Sequence, residues 1–298
     1  MKILFTGANG FLGKNLISDL NKNHTVYTLG LNDSDFQCNL SKEIPNLDQL
    51  NIDVVFHAAG KAHSIPKNLD EEKIFFDINE NGTKNLCLAL EKNKLPDTFI
   101  FISTVAVYGL EVGENIDENY PLNGKTPYAK SKINAELYLK EWCEKNKVKL
   151  IILRPSLISG QNPPGNLGDM IKGIKSGKYL NIGKGNARKS VFYAQDFAYI
   201  INNAVRMNAG VYNVCDSHHP TFLELSDKIS FLLGKSKPFS IPFFVAKLLA
   251  IVGDLMGTKA PINSLKLSKI TKSLTFSNEK IKRELHWEPS DVLNNFKL

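Results

Sequence analysis

The chain has 298 residues, 43% hydrophobic and 22% charged, a balance that excludes a disordered or fibrous protein and supplies a sizeable core. No run of about 18 uninterrupted apolar residues argues for a membrane-spanning helix, and no leader pattern precedes the first strand, so a cytoplasmic protein is expected. Lysine and arginine number 37 against 30 acidic residues, a net charge of +7 scattered along the chain, which favours an anionic small ligand or anionic lipid over nucleic acid. Cys38, Cys87, Cys143 and Cys215 lie far apart without metal-ligand spacing and are expected to be reduced and structural, with no metal site.

In chain order, residues 2–6, 25–29, 53–57, 97–103 and 148–153 are short apolar runs rich in Val, Ile and Phe, and stretches near 11–22, 70–93 and 127–146 have helical period. Strands alternating with helices predict right-handed crossovers and a parallel sheet covered on both faces: an α/β, doubly wound Rossmann architecture. Residues 1–157 are expected to form this dinucleotide-binding domain. Residues 158–298, with helices near 165–176, 194–207 and 221–233 and a strand at 211–214, suit a smaller α+β substrate lobe. That boundary is soft, and one or two later elements are free to return to the main sheet.

Directly after the first strand, Gly7-Ala8-Asn9-Gly10-Phe11-Leu12-Gly13 opens a helix. Glycines there allow a tight turn and close approach of a pyrophosphate, while the helix N-terminus offers N–H groups and partial positive charge. The second strand ends in Gly30, where a carboxylate for a ribose diol is common, and Leu31-Asn32-Asp33 offers neither that carboxylate nor an Arg for a 2′-phosphate. NAD and NADP both remain open. His57 reads as a satisfied core histidine, and Ala58-Ala59-Gly60 after it as small residues that leave room for the dinucleotide.

Tyr128 and Lys132 stand four residues apart, on one face of a predicted helix. An adjacent ammonium and an oxidised nicotinamide both favour the phenolate and lower its pKa, which makes Tyr128 a general acid/base for hydride-transfer chemistry. At the carboxyl end of the strand at 97–103, where ligands sit in an open α/β sheet, Ser103 or Thr104 is placed to hold the reacting oxygen.

These motifs resemble the extended short-chain dehydrogenases/reductases, and within them the NAD-dependent epimerase/dehydratase family, which acts on nucleotide-linked sugars. The resemblance covers nearly the whole chain and includes Asn79-Glu80-Asn81-Gly82-Thr83 and Leu153-Arg154-Pro155. It implies that Gly7, Gly10, Phe11, Leu12 and Gly13 hold NAD or NADP. Asn39-Leu40 would meet adenine, with Ala58, Ala59, Gly60 and Lys132 along the rest of the dinucleotide. Counted back from Gly109, the family's Ser/Thr-x-x-Val-Tyr-Gly segment selects Thr104, with Tyr128 and Lys132, as the catalytic set. Arg188 and Lys189 fall where the family places a cation on the substrate diphosphate, and Ser103 and Asn166 complete the implied substrate contacts. A homodimer through the helices near 70–93 and 127–146 is also implied.

The family's 4,6-dehydratases follow the Thr with Asp-Glu, whereas Val105-Ala106 stand here and cannot move a proton. Two reactions remain. One is C4 epimerisation of a hexose or N-acetylhexose carried on UDP or polyprenyl diphosphate, as in bacterial surface-polysaccharide synthesis; the other is reduction of a UDP-4-keto-6-deoxy sugar. Leu157 replaces the Asn of the galactose-epimerase pattern, which weakens a UDP-galactose assignment. A protein of another class, a dinucleotide sensor without turnover, has no need of a proton-transfer set. Finally, residues 239–257 are apolar nearly all round, with Lys247 and Asp254 as the only charges, and peripheral membrane contact is one expectation for them.

Overall fold

The computed structural model describes residues 1–256 and 262–298. Strand β1 (Lys2–Thr6) is followed at once by helix α1 (Phe11–Leu20), then by β2 (Thr25–Gly30) and a two-residue β3 (Phe36–Gln37). Next come β4 (Val54–His57), α2 (Leu69–Phe76), a π-helical turn at Asp77–Asn81, α3 (Gly82–Leu90) and β5 (Thr98–Ile102). Beyond them lie β6 (Gly113–Ile116), α4 (Pro127–Asn146), β7 (Lys149–Pro155) and β8 (Leu157–Ser159). The main sheet is parallel throughout and runs β11-β7-β5-β4-β1-β2-β3, where β11 is Gly210–Val214. Strand order reverses between β1 and β4, and the crevice at that switch point opens at the carboxyl ends of the strands.

Both faces of the sheet are covered, as the alternation of elements predicts. Ile3 and Phe5 of β1 and Ile100 and Ile102 of β5 pack with Leu16 of α1 and with Phe197 and Ile200 of α6 (Asp196–Asn203). Leu4, Phe99 and Phe101 face the other way, against Leu86 of α3 and Ala135, Leu139 and Trp142 of α4. The two-residue period of each strand divides one apolar run between two cores.

The second half builds a smaller lobe around Leu167 and Met170 of α5 (Gly165–Lys175), Val191 and Tyr193 of β10 (Val191–Tyr193), Leu225 and Ile229 of α7 (Phe222–Leu232), and Val292 of α11 (Val292–Asn295). Three small pairs complete it: β8 with β10, β9 (Asn181–Ile182) with β12 (Ser240–Ile241), and β13 (Leu274–Phe276) with β6. Helices α8 (Phe243–Met256) and α9 (Ser264–Thr271) pack on each other at its rim. Gly257, the last residue of the apolar segment singled out above, lies outside the described residues. Past residue 158 the chain serves both bodies: β11 extends the main sheet beside β7, and α6 and Ile281 of α10 (Glu279–Leu285) cover its face.

Two buried polar networks fix the ends of the central strands. His57, 1% exposed, has Nδ1 2.6 Å from the Thr6 hydroxyl and Nε2 2.9 Å from the Thr83 hydroxyl. Thr83 donates its own proton to the Asn79 carbonyl at 2.7 Å, so Nε2 carries the imidazole proton and Nδ1 accepts. Burial, helped by the charge of Lys132, holds the ring neutral with a pKa of about 3. In the second network the Glu136 carboxylate of α4, with no exposure, receives Arg154 through Nη2 at 2.5 Å and Nε at 3.0 Å, and also the Ser103 hydroxyl. Arg154 then donates to the Tyr108 hydroxyl, which donates to Asn213 of β11 at 2.6 Å.

Both networks have measurable consequences. An unfolded histidine binds its proton near pH 6.5, whereas folded His57 stays neutral down to about pH 3. The unfolded state therefore binds more protons between those values, so stability is full above pH 6.5 and falls by about 1.4 kcal/mol per unit as the pH drops through that window. Urea unfolding at pH 7 and pH 5 should show this slope, and His57→Gln should flatten it by one proton. For the second network, Glu136→Ala leaves a buried guanidinium without its counter-charge, and a loss of about 3–5 kcal/mol in denaturant unfolding is expected.

Candidate active site

The glycine turn between β1 and α1 forms a cradle that fits a dinucleotide pyrophosphate. Gly7 has φ +76°, and a Cβ on it would lie 2.8 Å from the Ala59 backbone, so the turn presses directly on the segment that leaves β4. A Cβ on Gly13 would lie 1.8 Å from the Ala8 carbonyl, which is how α1 comes to lie on the turn. Helix α1 follows its N-cap Gly10 with no side-chain cap, so no capping hydroxyl competes with an anion for the amides at Phe11 and Leu12. Across the crevice Ala58, Ala59 and Gly60 prolong β4. A Cβ on Gly60 would lie 3.2 Å from the Lys132 ammonium and 3.0 Å from Asn79 Oδ1, so the glycine makes room for both.

The region expected to meet adenine is rich in amides and hydroxyls. Asn39 Oδ1 accepts from the Ser41 amide at 3.1 Å and the Ser41 hydroxyl at 2.7 Å, which commits that oxygen to its own turn. Leu40 is buried and packs against Gly82. Beside Gly30, Asn9 donates to the Asn32 carbonyl at 2.6 Å and accepts from Ser34 at 3.2 Å. Asp35 turns back on Thr28, whose amide and hydroxyl donate at 2.8 and 2.7 Å and hold its carboxyl below the usual range.

Thr104, Tyr128 and Lys132 come together at the carboxyl end of β5. Helix α4 starts with the Thr126 hydroxyl capping the Ala129 amide at 3.2 Å and Pro127 in the first position, which fixes Tyr128 in the first turn. A hydrogen bond joins the Tyr128 phenol to the Thr104 hydroxyl, which is 9% exposed and also caps the Ala106 amide at 3.1 Å. One helical turn on, Lys132 is 4% exposed, donates to the Ile102 carbonyl at 2.8 Å and stands 4.6 Å over the Phe101 ring.

Burial raises the Tyr128 pKa, and the influence that lowers it is the Thr104 hydrogen bond, not the Lys132 charge. Burial also brings Lys132 down to about 8, opposed by the Glu136 carboxylate one turn further along α4. One of the three N–H groups of the Lys132 ammonium is taken up by the Ile102 carbonyl.

The sequence-derived substrate contacts are dispersed. Ser103 is 2% exposed and gives its hydroxyl to Glu136, so it faces the core and not the crevice. Asn166 is exposed on the first turn of α5, beside Gly165, where a Cβ would lie 2.5 Å from His63. Arg188 is exposed, donates to the His219 carbonyl at 2.7 Å and lies 3.9 Å from Glu224. Lys189 is half-buried; burial first and Lys269 second lower its pKa to about 8, against the opposing pull of Glu111. Leu157 belongs to the apolar core of the small lobe. Sequence reasoning assigned no role to Asn79 or Glu136. Asn79 holds the Lys61 backbone at 2.7 and 3.1 Å and donates to Ser131 at 2.9 Å. The spacing of Tyr128, Lys132 and Glu136 at four-residue intervals was the available signal for Glu136.

Known proteins are similar to this chain in sequence and in fold. The chain is 29% identical over 94% of its length, and 88% of the relative's, to N-acetyl-alpha-D-glucosaminyl-diphospho-ditrans,octacis-undecaprenol 4-epimerase of Escherichia coli O157:H7. It is 26% identical over 77% of its length, and 79% of the relative's, to GDP-6-deoxy-D-mannose reductase of Pseudomonas aeruginosa. The crystal structure of UDP-N-acetylglucosamine 4-epimerase from Bacillus cereus shares the fold with a TM-score of 0.76 at 21% identity, covering 99% of this chain and 96% of that one. Residues 3–215 match the family model "NAD dependent epimerase/dehydratase family". The chain belongs to the NAD dependent epimerase/dehydratase family, and its dinucleotide is NAD or NADP.

Proposed function

We propose that the chain is a 4-epimerase of a hexose or N-acetylhexose carried on UDP or on polyprenyl diphosphate, serving surface-polysaccharide synthesis. The observation that carries this reading is the hydrogen-bonded pair of Thr104 and Tyr128 at the end of β5, with Lys132 one turn on and Val105-Ala106 next in the chain. Such a set moves a proton at a secondary hydroxyl, and those two following residues offer no group to eliminate water.

When bound, NAD(P) would supply the hydride acceptor for oxidation of the sugar and the hydride donor for its reduction. Thr104 orients the sugar hydroxyl toward Tyr128. Tyr128 takes the hydroxyl proton during oxidation and returns it to the same oxygen when the turned ketosugar is reduced at the opposite face of its carbon. Lys132 keeps its positive charge at pH values below about 8 and favours the phenolate once the crevice is filled. Lys189, with Arg188, is the proposed cation pair for the diphosphate, and Asn166 a proposed sugar contact. The polyprenyl carrier is supported by the relative that matches 94% of the chain.

A second reading, a 4-ketoreductase, draws on Gly30, which leaves a ribose diol without a carboxylate partner, and on the similarity to the Pseudomonas aeruginosa reductase. Release of the nucleotide from denatured protein separates the two. Tightly held oxidised NAD is expected for the epimerase; an empty site that takes up NADPH means the reductase. Tyr128→Phe should lower kcat by at least about 10²-fold while dinucleotide binding, followed by fluorescence titration, stays largely intact. Retained turnover would remove Tyr128 as the proton carrier.

A further inference from the structure

Helix α8 is built inside out. Its buried positions are the small residues Ala246, Ala250 and Gly253, spaced four and three apart, and the two alanines pack with Leu267 of α9, Ile182 and Ile241. Its large apolar side chains point outward instead: Phe244 is 66% exposed, Leu248 62%, Val252 58% and Leu255 89%. Phe239, 84% exposed just ahead of the helix, and Phe231, 78% exposed near the end of α7, are also uncovered. A helix facing water normally buries its large apolar residues and exposes polar ones, so this arrangement marks a contact surface.

The charge around this face names the partner. Residues 235–278 contain seven lysines and one acidic residue, Asp254, and so hold six of the chain's seven net positive charges. Asp254 is spent inside the helix pair, where it accepts from the Ser264 amide at 2.9 Å and the Ser264 hydroxyl at 2.6 Å. Lys235, Lys247, Lys269 and Lys272 are exposed. A second copy of this chain would bring the same positive charge to the contact and be repelled, whereas an anionic bilayer is attracted by the lysines and accepts the apolar side chains.

We propose that α8 is a monotopic docking surface for anionic lipid, lying flat with its outer side chains in the headgroup and acyl boundary. Fourteen helical residues extend about 21 Å, short of the roughly 30 Å hydrocarbon core, so the helix lies along the interface instead of crossing it. No helix among the described residues is long and apolar enough to cross a membrane. Lys269 of α9, which packs on α8, is close enough to Lys189 to lower its pKa, so the docking helices adjoin the cation proposed for the diphosphate. The inference stands whichever sugar and carrier the site uses.

The test is flotation of the full chain with phosphatidylglycerol vesicles and with phosphatidylcholine vesicles, no sugar being present. The protein should float with the anionic vesicles, much less with the zwitterionic ones, and less as salt is raised. Leu248→Glu/Leu255→Glu should reduce the bound fraction about tenfold, and Lys247→Gln/Lys272→Gln should weaken binding to the anionic vesicles, both with unchanged circular dichroism and dinucleotide binding. Protein that stays at the bottom with both vesicle types overturns the proposal, as does Leu248→Glu/Leu255→Glu that floats like the parent. A fall in solution mass on Leu248→Glu/Leu255→Glu without vesicle binding by the parent identifies a second copy as the occupant and also overturns it.

Discussion

The Glu136 carboxylate, buried with no exposure, is held by Arg154 from β7 and by Ser103 from the end of β5, while its own helix, α4, carries Tyr128 and Lys132 two turns and one turn earlier. One ion pair thus pins three elements at the carboxyl end of the sheet. A buried pair of this kind is costly to desolvate and worth keeping only where every lone pair and proton is matched. Here the matching continues through Tyr108 to Asn213, so the edge strand β11 is tied into the same constraint. The consequence is positional: the hydroxyl of Thr104 and the phenol of Tyr128 meet because the elements that bear them cannot slide.

Burial also decides the ionisation of the cluster. His57 is driven neutral, Lys132 is brought down to about 8, and the Tyr128 phenol is raised, all by removal from water. The direct hydrogen-bond partners of His57 and Lys132 are neutral hydroxyls and a backbone carbonyl, while charge acts second to burial, from Lys132 on His57 and from Glu136 on Lys132. A site tuned in this way leaves the phenol a poor base until its surroundings change, and filling the crevice with a charged dinucleotide and sugar is the change that the proposed function supplies.

The small lobe divides its labour differently. Its core is apolar and compact around α5, α7 and β10, and Leu157 packs into it instead of lining the crevice. Its rim carries the positive charge of the chain together with the outward-facing side chains of α8. Lys189 is half-buried and feels both the Lys269 ammonium and the Glu111 carboxylate. An anion entering there would relieve the repulsion between the two lysines, which is a physical reason for a diphosphate to be favoured at this position.

The local patterns in the chain were enough for the parallel sheet, the glycine turn and the pairing of Tyr128 with Lys132. Strand period, turn glycines and the four-residue spacing on a helix act over a few residues and leave their trace in order along the sequence. Two-residue β3 leaves too little period to detect, and the return of β11 to the main sheet depends on its pairing with β7, far away in sequence. The direction in which a side chain points is likewise a long-range matter: Ser103 and Thr104 are adjacent, yet one faces Glu136 in the core and the other Tyr128 at the crevice, because successive residues of an extended chain alternate sides. The same holds for α8. Composition alone made it apolar all round, and only the packing of Ala246 and Ala250 against α9 decided which side was left to the outside.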